Sequence, residues 1–501
     1  MPTPFHDIEQ SYARTQILDL YSRGIVYGEG AGQYGPRKPV TREAMAAMLG
    51  RTLHLLPVDA AIPAFTDVSR TSWSYGMVSA GVIRGLLSGT GPHTYEPLRS
   101  ITRQEAVSLL YRALPNKKSA GSTAPLPFRD ASRIADWAKP AVSELYTRGL
   151  IVGDQGRFRP ADPLTREEMA VLLYEWIRQP DIVQNEQSRK SAPLQIGWQY
   201  GITTQEFTRR IQDAREMNVV SPRWYFIHST NIISGAMEPS LLAWAKKNGR
   251  EVWPLVGNRF DRELTHQFLA DSRQRAALIQ KLASYTQQYD IGGLNIDFEN
   301  IDPADRPAFT AFVKELAAIL HAQGKKLFVD VPPDVHSDWS DPYDFAALSR
   351  DADYLVMMAY NETWEGLGRA GSNASLPWVR GHVTHMLTMV PREKLIVALP
   401  LYTMRWQETG GKAVPQDMTM PASIKEVEAA GIRPVWDARM GQYYAVYRSK
   451  GNSCKVWLED SRSLALKYRM IQETGAAGTA FWYVGSETAD VWPALANERK
   501  P

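Results

Sequence analysis

The sequence predicts an α/β protein: an eight-stranded parallel (β/α)8 barrel with a small insertion before its last strand, preceded by a helix-rich bundle of three repeats. Three observations carry this. From Leu194 onward, short apolar runs alternate with helix-patterned stretches, as βα units require. Before that, four short markers recur three times in one order, about sixty residues apart. Finally, one apolar strand, Ile291-Gly292-Gly293-Leu294-Asn295-Ile296-Asp297-Phe298-Glu299-Asn300, ends in acid.

The repeats come first. One marker is Phe5-His6-Asp7, Phe65-Thr66-Asp67 and Phe128-Arg129-Asp130. A glycine-led hinge follows at Gly24–Gly28, Gly81–Gly85 and Gly149–Gly153, then an aromatic-Pro turn at Tyr34-Gly35-Pro36, Tyr95-Glu96-Pro97 and Phe158-Arg159-Pro160. The last marker is Thr-Arg-x-Glu, at Thr102–Glu105 and Thr165–Glu168, with Ala44 in place of the acid after Thr41-Arg42-Glu43. Each unit reads as helix, turn, loop, helix, with Thr as N-cap of the second helix. A single unit has little core, so three are expected to share one. Expected boundaries are 1–60, 61–120 and 121–180, with a Ser/Ala/Gly-rich connector at Lys117–Pro125 and a polar linker at 181–193. Gly28–Gly32 is glycine-rich but belongs to the repeat's turn and gives no phosphate loop.

The barrel is expected over 194–501. Its strands are Leu194–Tyr200, Val219–Ile227, Glu251–Gly257, Gly293–Phe298, Lys326–Val331, Tyr354–Tyr360, Leu395–Leu401 and Gly478–Val484. Helical stretches such as Thr204–Glu216, Arg273–Tyr289 and Asp305–Gln323 lie between them. The stretch from Tyr402 to about Tyr468 is too long for one helix and is expected to hold a small element with strands at Gly441–Arg448 and Lys455–Leu458. Alternation along the fourth strand puts Asn295, Asp297 and Glu299 on one face and Leu294, Ile296 and Phe298 on the other. Active sites of closed parallel barrels sit at the strands' C-terminal ends. Two carboxylates two residues apart repel, so one keeps its proton near neutral pH and serves as a general acid.

Composition narrows the function. The 501 residues allow about three domains, and 44% apolar content is ordinary for a globular chain. A net charge of +3 without a block of like charges argues against nucleic acid as a partner. The single cysteine, Cys454, excludes an intramolecular disulfide and a cysteine metal site. No apolar run is long enough to span a membrane. Met1-Pro2-Thr3-Pro4 lacks the charged start and apolar core of a signal peptide. There is no Gly-x-Ser-x-Gly elbow and no His-Glu-x-x-His helix, and no cofactor or metal is expected.

The acidic strand resembles the signature of glycoside hydrolase family 18, Asp-Gly-x-Asp-x-Asp-x-Glu. Asp297 and Glu299 match its last two acids; Gly292 and Asn295 replace the first two. The Asn is similar to the branch of bacterial spore-cortex-lytic N-acetylglucosaminidases. Met358-Ala359-Tyr360-Asn361 resembles the family's Met-x-Tyr-Asp, with Asn361 departing from it. Phe481-Trp482-Tyr483 and Val456–Ser461 with Lys467 also match. The resemblance implies a TIM barrel that hydrolyses N-acetylglucosamine glycans by substrate assistance. It makes Glu299 the acid/base, Asp297 and Tyr360 its partners at the acetamido group, and Trp482 the platform under the sugar. Asn295, Asn361, Glu362, Tyr402 and Asn258 are expected around the substrate.

The repeats resemble the S-layer homology domain, which implies binding of a secondary cell-wall polysaccharide. Arg42, Arg103 and Arg166 at helix N-termini would meet its carboxylates, and Asp7, Asp67 and Asp130 its hydroxyls. The expected protein is therefore a hydrolase fixed to the bacterial cell wall, with peptidoglycan or its fragments as first substrate and chitin-type oligomers second. The alternative is a surface protein whose barrel binds carbohydrate without turning it over.

Overall fold

In a computed structural model, residues 4–115, 126–182, 193–229, 232–235 and 237–499 are described. The connector expected at Lys117–Pro125 and nearly all of the linker expected at 181–193 lie outside the described residues. The chain divides into two compact units, one running to Ser191 and including Pro493–Pro501, the other Ala192–Trp492.

Among the described residues up to 182, the first unit carries the α-helices α1 (Arg14–Ser22), α2 (Arg42–Thr52), α3 (Tyr75–Ile83), α4 (Arg103–Arg112), α5 (Lys139–Thr147) and α6 (Arg166–Ile177). Thr41, Thr102 and Thr165 cap the second helix of each repeat through their side chains. The reciprocal bond from Glu at the third helical position is present at Glu105 and Glu168. Ala44 has no oxygen with which to make it, so the first repeat lacks the box.

The hinge of the second repeat departs from expectation. Gly24 and Gly149 follow the last turns of α1 and α5 with φ of 70° and 72°, and their counterpart is Gly85 at 74° rather than Gly81. Gly81 lies inside α3, and a Cβ there would meet Leu87 at 2.4 Å. It is a packing glycine, and the left-handed turn begins four residues later than the marker suggests.

The repeats close on one another in a ring. Val40 donates to the Leu164 carbonyl, Leu164 to Ile101, and Ile101 to Val40, at 2.8–3.0 Å. The arginines run the same circuit. Arg42 Nε donates to the Tyr95 carbonyl (2.7 Å), Arg103 Nε to Phe158 (2.9 Å) and Arg166 Nε to Tyr34 (2.7 Å), each guanidinium lying over the same aromatic ring.

The second unit is a closed barrel. Its strands are β1 (Leu194–Gln199), β2 (Val219–Pro222), β3 (Tyr225–His228), β4 (Ile232–Gly235), β5 (Glu251–Val252), β6 (Leu255–Gly257), β7 (Gly293–Asp297), β8 (Lys326–Val331), β9 (Tyr354–Met358), β10 (Leu395–Pro400) and β16 (Gly478–Val484). Two of the eight expected strands are each broken in two, as β2/β3 and β5/β6. Pro222 and Pro254 sit at the breaks, where a missing N–H interrupts the ladder. Reading around the sheet, β5 pairs with β2, then come β1, β16, β10, β9, β8, β7, β6 and β3. Because β5 and β6 are halves of one strand, pairing with β2 and β3 respectively, that circuit closes. β4 is an antiparallel addition to β3.

Ile196, Trp198, Leu255, Phe328, Val356, Ile396, Ala398 and Ala480 belong to the buried cluster formed by the barrel strands. Among the helices outside, Arg306–Ala322 presents Phe309 and Phe312 to Phe298, the latter ring 5.5 Å away. The pleat therefore sends Phe298 outward, as alternation requires.

The insertion is larger than expected. It is a five-stranded antiparallel sheet of β11 (Tyr402–Thr409), β12 (Lys412–Thr419), β13 (Val435–Asp437), β14 (Gln442–Ser449) and β15 (Asn452–Leu458), with a helix at Met420–Ala429. Glu459 and Lys467 form a fully buried ion pair at its base. Gln442 Nε2 and Ser463 Oγ each donate to Glu459 at 2.7 Å, so both carboxylate oxygens have a partner.

Candidate active site

β7 carries the acids to the C-terminal end of the barrel. There a cavity of about 630 Å³ opens, lined by Asp297, Glu299, Asp330, Tyr360, Asn361, Tyr402 and Trp482. Its remaining wall includes Trp198, Tyr200, Arg223, Trp339 and Tyr483, together with Asp417 from β12. Six of the expected residues thus share one cavity. The aromatic wall is continuous: Trp482 stacks on Tyr200 at 5.4 Å and meets Trp198 edge-on at 5.8 Å.

The electrostatics follow from four acids in a small space, of which Asp417 is raised by its own burial. Burial pushes Asp297 up to about 6, with Arg223 opposing. Glu299 is raised well above the usual carboxylate range, by burial first and then by the charge of Asp297. Asp330, at the end of β8, is raised likewise by burial and Asp297. The Asn295 amide faces Asp330 and partly favours its ionised form. Against these acids the cavity wall offers one guanidinium, Arg223, whose plane lies over Tyr200 and Phe226 at 5.0 Å. Such a site holds at least one proton at neutral pH, close to reacting atoms.

Three expected substrate contacts lie elsewhere. Asn258 is buried and clasps the acid's backbone: Nδ2 donates to the Glu299 carbonyl (2.6 Å), and the Glu299 N–H donates to Oδ1 (3.0 Å). Asn295 is buried beneath the cavity, where Oδ1 accepts from Trp198 Nε1 (2.8 Å) and Ser221 Oγ (3.2 Å). Glu362 accepts from the N–H and hydroxyl of Ser375, the N-cap of the helix Leu376–Met386. In each case the polar side chain meets a neighbouring segment: for Asn258 and Glu362 it satisfies backbone groups that strand ends and loops leave open, and for Asn295 it satisfies an indole and a hydroxyl.

The departures from the family pattern have local causes. A Cβ on Gly292 would meet Trp253 Nε1 at 2.6 Å, so no carboxylate fits there. Asn361 takes the left-handed conformation (φ 63°), which Asn tolerates well, and accepts from the Tyr402 hydroxyl at 3.0 Å. Asp330 and Arg223 were missed as site residues. Asp330 ends an apolar run just before Pro332-Pro333 and offered the same signal as Asp297, an acid at a strand end. Arg223 sits at the break between β2 and β3, where the sequence reads as one strand.

In the repeats, both carboxylate oxygens of Asp7, Asp67 and Asp130 accept backbone N–H groups of the aromatic turns: Tyr34 and Gly35, Tyr95 and Glu96, Phe158 and Arg159. Arg42 and Arg166 are buried in the ring contacts described above. Arg103 differs. It lines a groove of about 450 Å³ with Tyr12, Asp154, Arg159 and Glu168. Tyr12, 66% exposed, carried no sequence signal.

Comparison with known proteins agrees with this geometry. The family described as glycosyl hydrolases family 18 matches residues 230–487, and the S-layer homology domain matches 4–46, 64–107 and 127–170. An uncharacterized glycosylase of Bacillus subtilis is 24% identical over 61% of this chain and 91% of its own length. The cortical fragment-lytic enzyme of Bacillus subtilis is 22% identical over 49% of this chain, which spans 58% of that relative. Among solved structures, a chitinase from Chromobacterium violaceum superposes with a TM-score of 0.57 at 24% identity, over 61% of this chain and 99% of its own. The spore cortex-lytic enzyme of Bacillus megaterium gives 0.57 at 20% identity, over 62% and 75%.

Proposed function

The chain belongs to glycosyl hydrolases family 18, a glycosidase behind three S-layer homology domains, and from that premise we propose that it cleaves β-linkages following N-acetylglucosamine in wall glycans. Peptidoglycan strands or their fragments are the first substrate class and chitin-type oligomers the second. The observation that carries the reading is Glu299: a half-buried carboxyl at a strand's end, kept protonated by burial and by Asp297, in a cavity walled with aromatic rings.

In this reading Glu299 gives its proton to the glycosidic oxygen as the bond to the anomeric carbon breaks. The substrate's acetamido oxygen bonds to that carbon, giving an oxazolinium ion. Asp297 accepts the acetamido N–H and stabilises the positive charge, while the Tyr360 hydroxyl donates to the acetamido oxygen. Glu299, now ionised, takes a proton from water as the water attacks the anomeric carbon and opens the ring. Trp482 lies beneath the sugar. Asn295 has no proton to trade with Asp297, and Asp330 takes that part. The S-layer homology domains hold the enzyme at the cell surface, with the groove around Arg103 and Tyr12 as the polysaccharide site. Tethering raises the local enzyme concentration without altering the cleavage site.

Mass spectrometry of products from N-acetylated and de-N-acetylated peptidoglycan fragments tests the mechanism. Cleavage of the acetylated material alone, abolished in Glu299→Gln with binding retained, is the expected result. Equal cleavage of both materials removes the acetamido step. Identical behaviour of wild type and Glu299→Gln leaves a barrel that binds without turnover.

A further inference from the structure

We infer that Asp334, His336 and His385 form a binding site for a zinc-class divalent cation beside the catalytic cavity. The three side chains converge with their ligand atoms all within 4.8 Å of one another. Asp334 Oδ1 lies 3.2 Å from His336 Nδ1, and Oδ2 lies 3.1 Å from His385 Nε2. One carboxylate thus faces two imidazole nitrogens, an oxygen to each. A tetrahedral zinc ion with bonds of about 2.0–2.1 Å spaces its donors about 3.3 Å apart. The two separations from the Asp334 oxygens lie within a few tenths of an ångström of that value, and the third, between the imidazoles, is within 4.8 Å.

The surroundings leave room for the ion and a further ligand. The three residues line an open pocket of about 340 Å³ together with Pro377, Trp378, Gly381 and His382. His382 precedes His385 by three residues on the helix Leu376–Met386, so both lie on one face. The loop after β8 is shaped to present the other two donors. His336 is held at φ 50°, and Val335 and Ser337 both donate backbone N–H groups to Ser340 Oγ. Two imidazoles and one carboxylate are a borderline donor set. It suits zinc and its transition-metal neighbours, whereas magnesium and calcium take oxygen ligands. The sequence offers no metal motif because the halves of the site lie 51 residues apart and meet only through the barrel.

The ion would clip the loop after β8 to a helix of the barrel wall. That loop also carries Trp339, which lines the catalytic cavity and stacks on Phe260 at 6.3 Å. Cation binding therefore fixes one wall of the cavity. This consequence, though not the site itself, rests on the glycosidase reading.

The test uses the untagged full chain, stripped with EDTA and titrated calorimetrically with Zn²⁺ and with Mg²⁺. One zinc ion binds at micromolar affinity or tighter, and magnesium does not compete. Asp334→Asn and His385→Ala weaken zinc binding about tenfold or more. His336→Ala does the same, and because that side chain is 81% exposed, its loss leaves folding intact. Cobalt substitution gives visible d–d absorption that disappears in the same variants. With oligosaccharide substrate, zinc lowers KM and leaves kcat unchanged. Absence of saturable 1:1 zinc binding, or equal binding in wild type and all three variants, overturns the site. Zinc binding without any glycan cleavage keeps the site and removes only the glycosidase reading.

Discussion

Asn258 provides the sharpest test of how the acid is held. Its side chain makes four hydrogen bonds: Nδ2 to Thr265 Oγ1 (2.9 Å) and the Glu299 carbonyl (2.6 Å), and Oδ1 from the N–H groups of Glu299 (3.0 Å) and Phe260 (3.2 Å). Asn258→Ala removes all four and leaves both backbone groups of Glu299 unpaired in a buried setting. At a net 0.5–1.5 kcal/mol each, the bonds amount to about 4 kcal/mol of stability. The catalytic effect is separate. Freed of its clasp, the Glu299 backbone shifts, and a displacement of about 1 Å at a reacting group costs about 10²-fold in rate. Asn258 does not line the cavity, so the loss falls on kcat with KM nearly unchanged. Steady-state kinetics on a fluorogenic N-acetylglucosamine oligomer, at a temperature where circular dichroism shows the variant folded, measures the split. Asn258→Asp keeps the acceptor and loses the donor to the carbonyl, so it falls between wild type and Ala. A variant with unchanged kcat and a raised KM would refute this reasoning and return Asn258 to the substrate contact that the sequence suggests.

Two further predictions concern buried charge. Asp297 titrates at about 6 in the folded chain against 3.8 in the free residue, so its folded-state proton contributes stability that is full below about pH 4 and lost as pH rises through about 6. The gap is worth up to about 3 kcal/mol, so Asp297→Asn gains stability over wild type at pH 8 and not at pH 4. A urea-midpoint difference that stays flat across this range contradicts the assignment. Lys467→Met leaves Glu459 buried without its cation and costs about 3–5 kcal/mol, whereas Lys467→Met with Glu459→Gln recovers most of it. Equal midpoints for the single and double variants would show that the pair is uncoupled.

What could be read in the sequence depended on whether periodicity or partnership carried the information. The eight barrel strands were legible because alternation and apolar runs report on the residues themselves. The breaks at Pro222 and Pro254 were visible as prolines, but their effect depends on which neighbour needs the missing N–H. The insertion's β11, β12 and β13 were missed because a half-exposed antiparallel ribbon such as Lys412–Thr419 mixes Ala413, Val414 and Met418 with charged and polar residues and never builds an apolar run. At the site, Asp297, Glu299, Tyr360 and Trp482 stand at strand ends and were found there. Asn258, Asn295 and Glu362 have the same polarity and similar positions, yet each is consumed by a neighbouring backbone or indole. Nothing local separates a polar group that waits for substrate from one that satisfies the next strand. The arginines of the repeats show the same limit, since Arg42, Arg103 and Arg166 share one motif, yet Arg42 and Arg166 are buried and Arg103 lines a groove.

The ring of three repeats has a consequence for how such an anchor can be counted out. Each arginine finds its aromatic acceptor one repeat ahead, and the third reaches round to the first. Two repeats would leave one arginine over an empty edge and one aromatic turn uncovered, and a fourth would find both partners already taken. Within this geometry the working unit is the triplet: taking out or adding one repeat, with the others left in place, opens the circle.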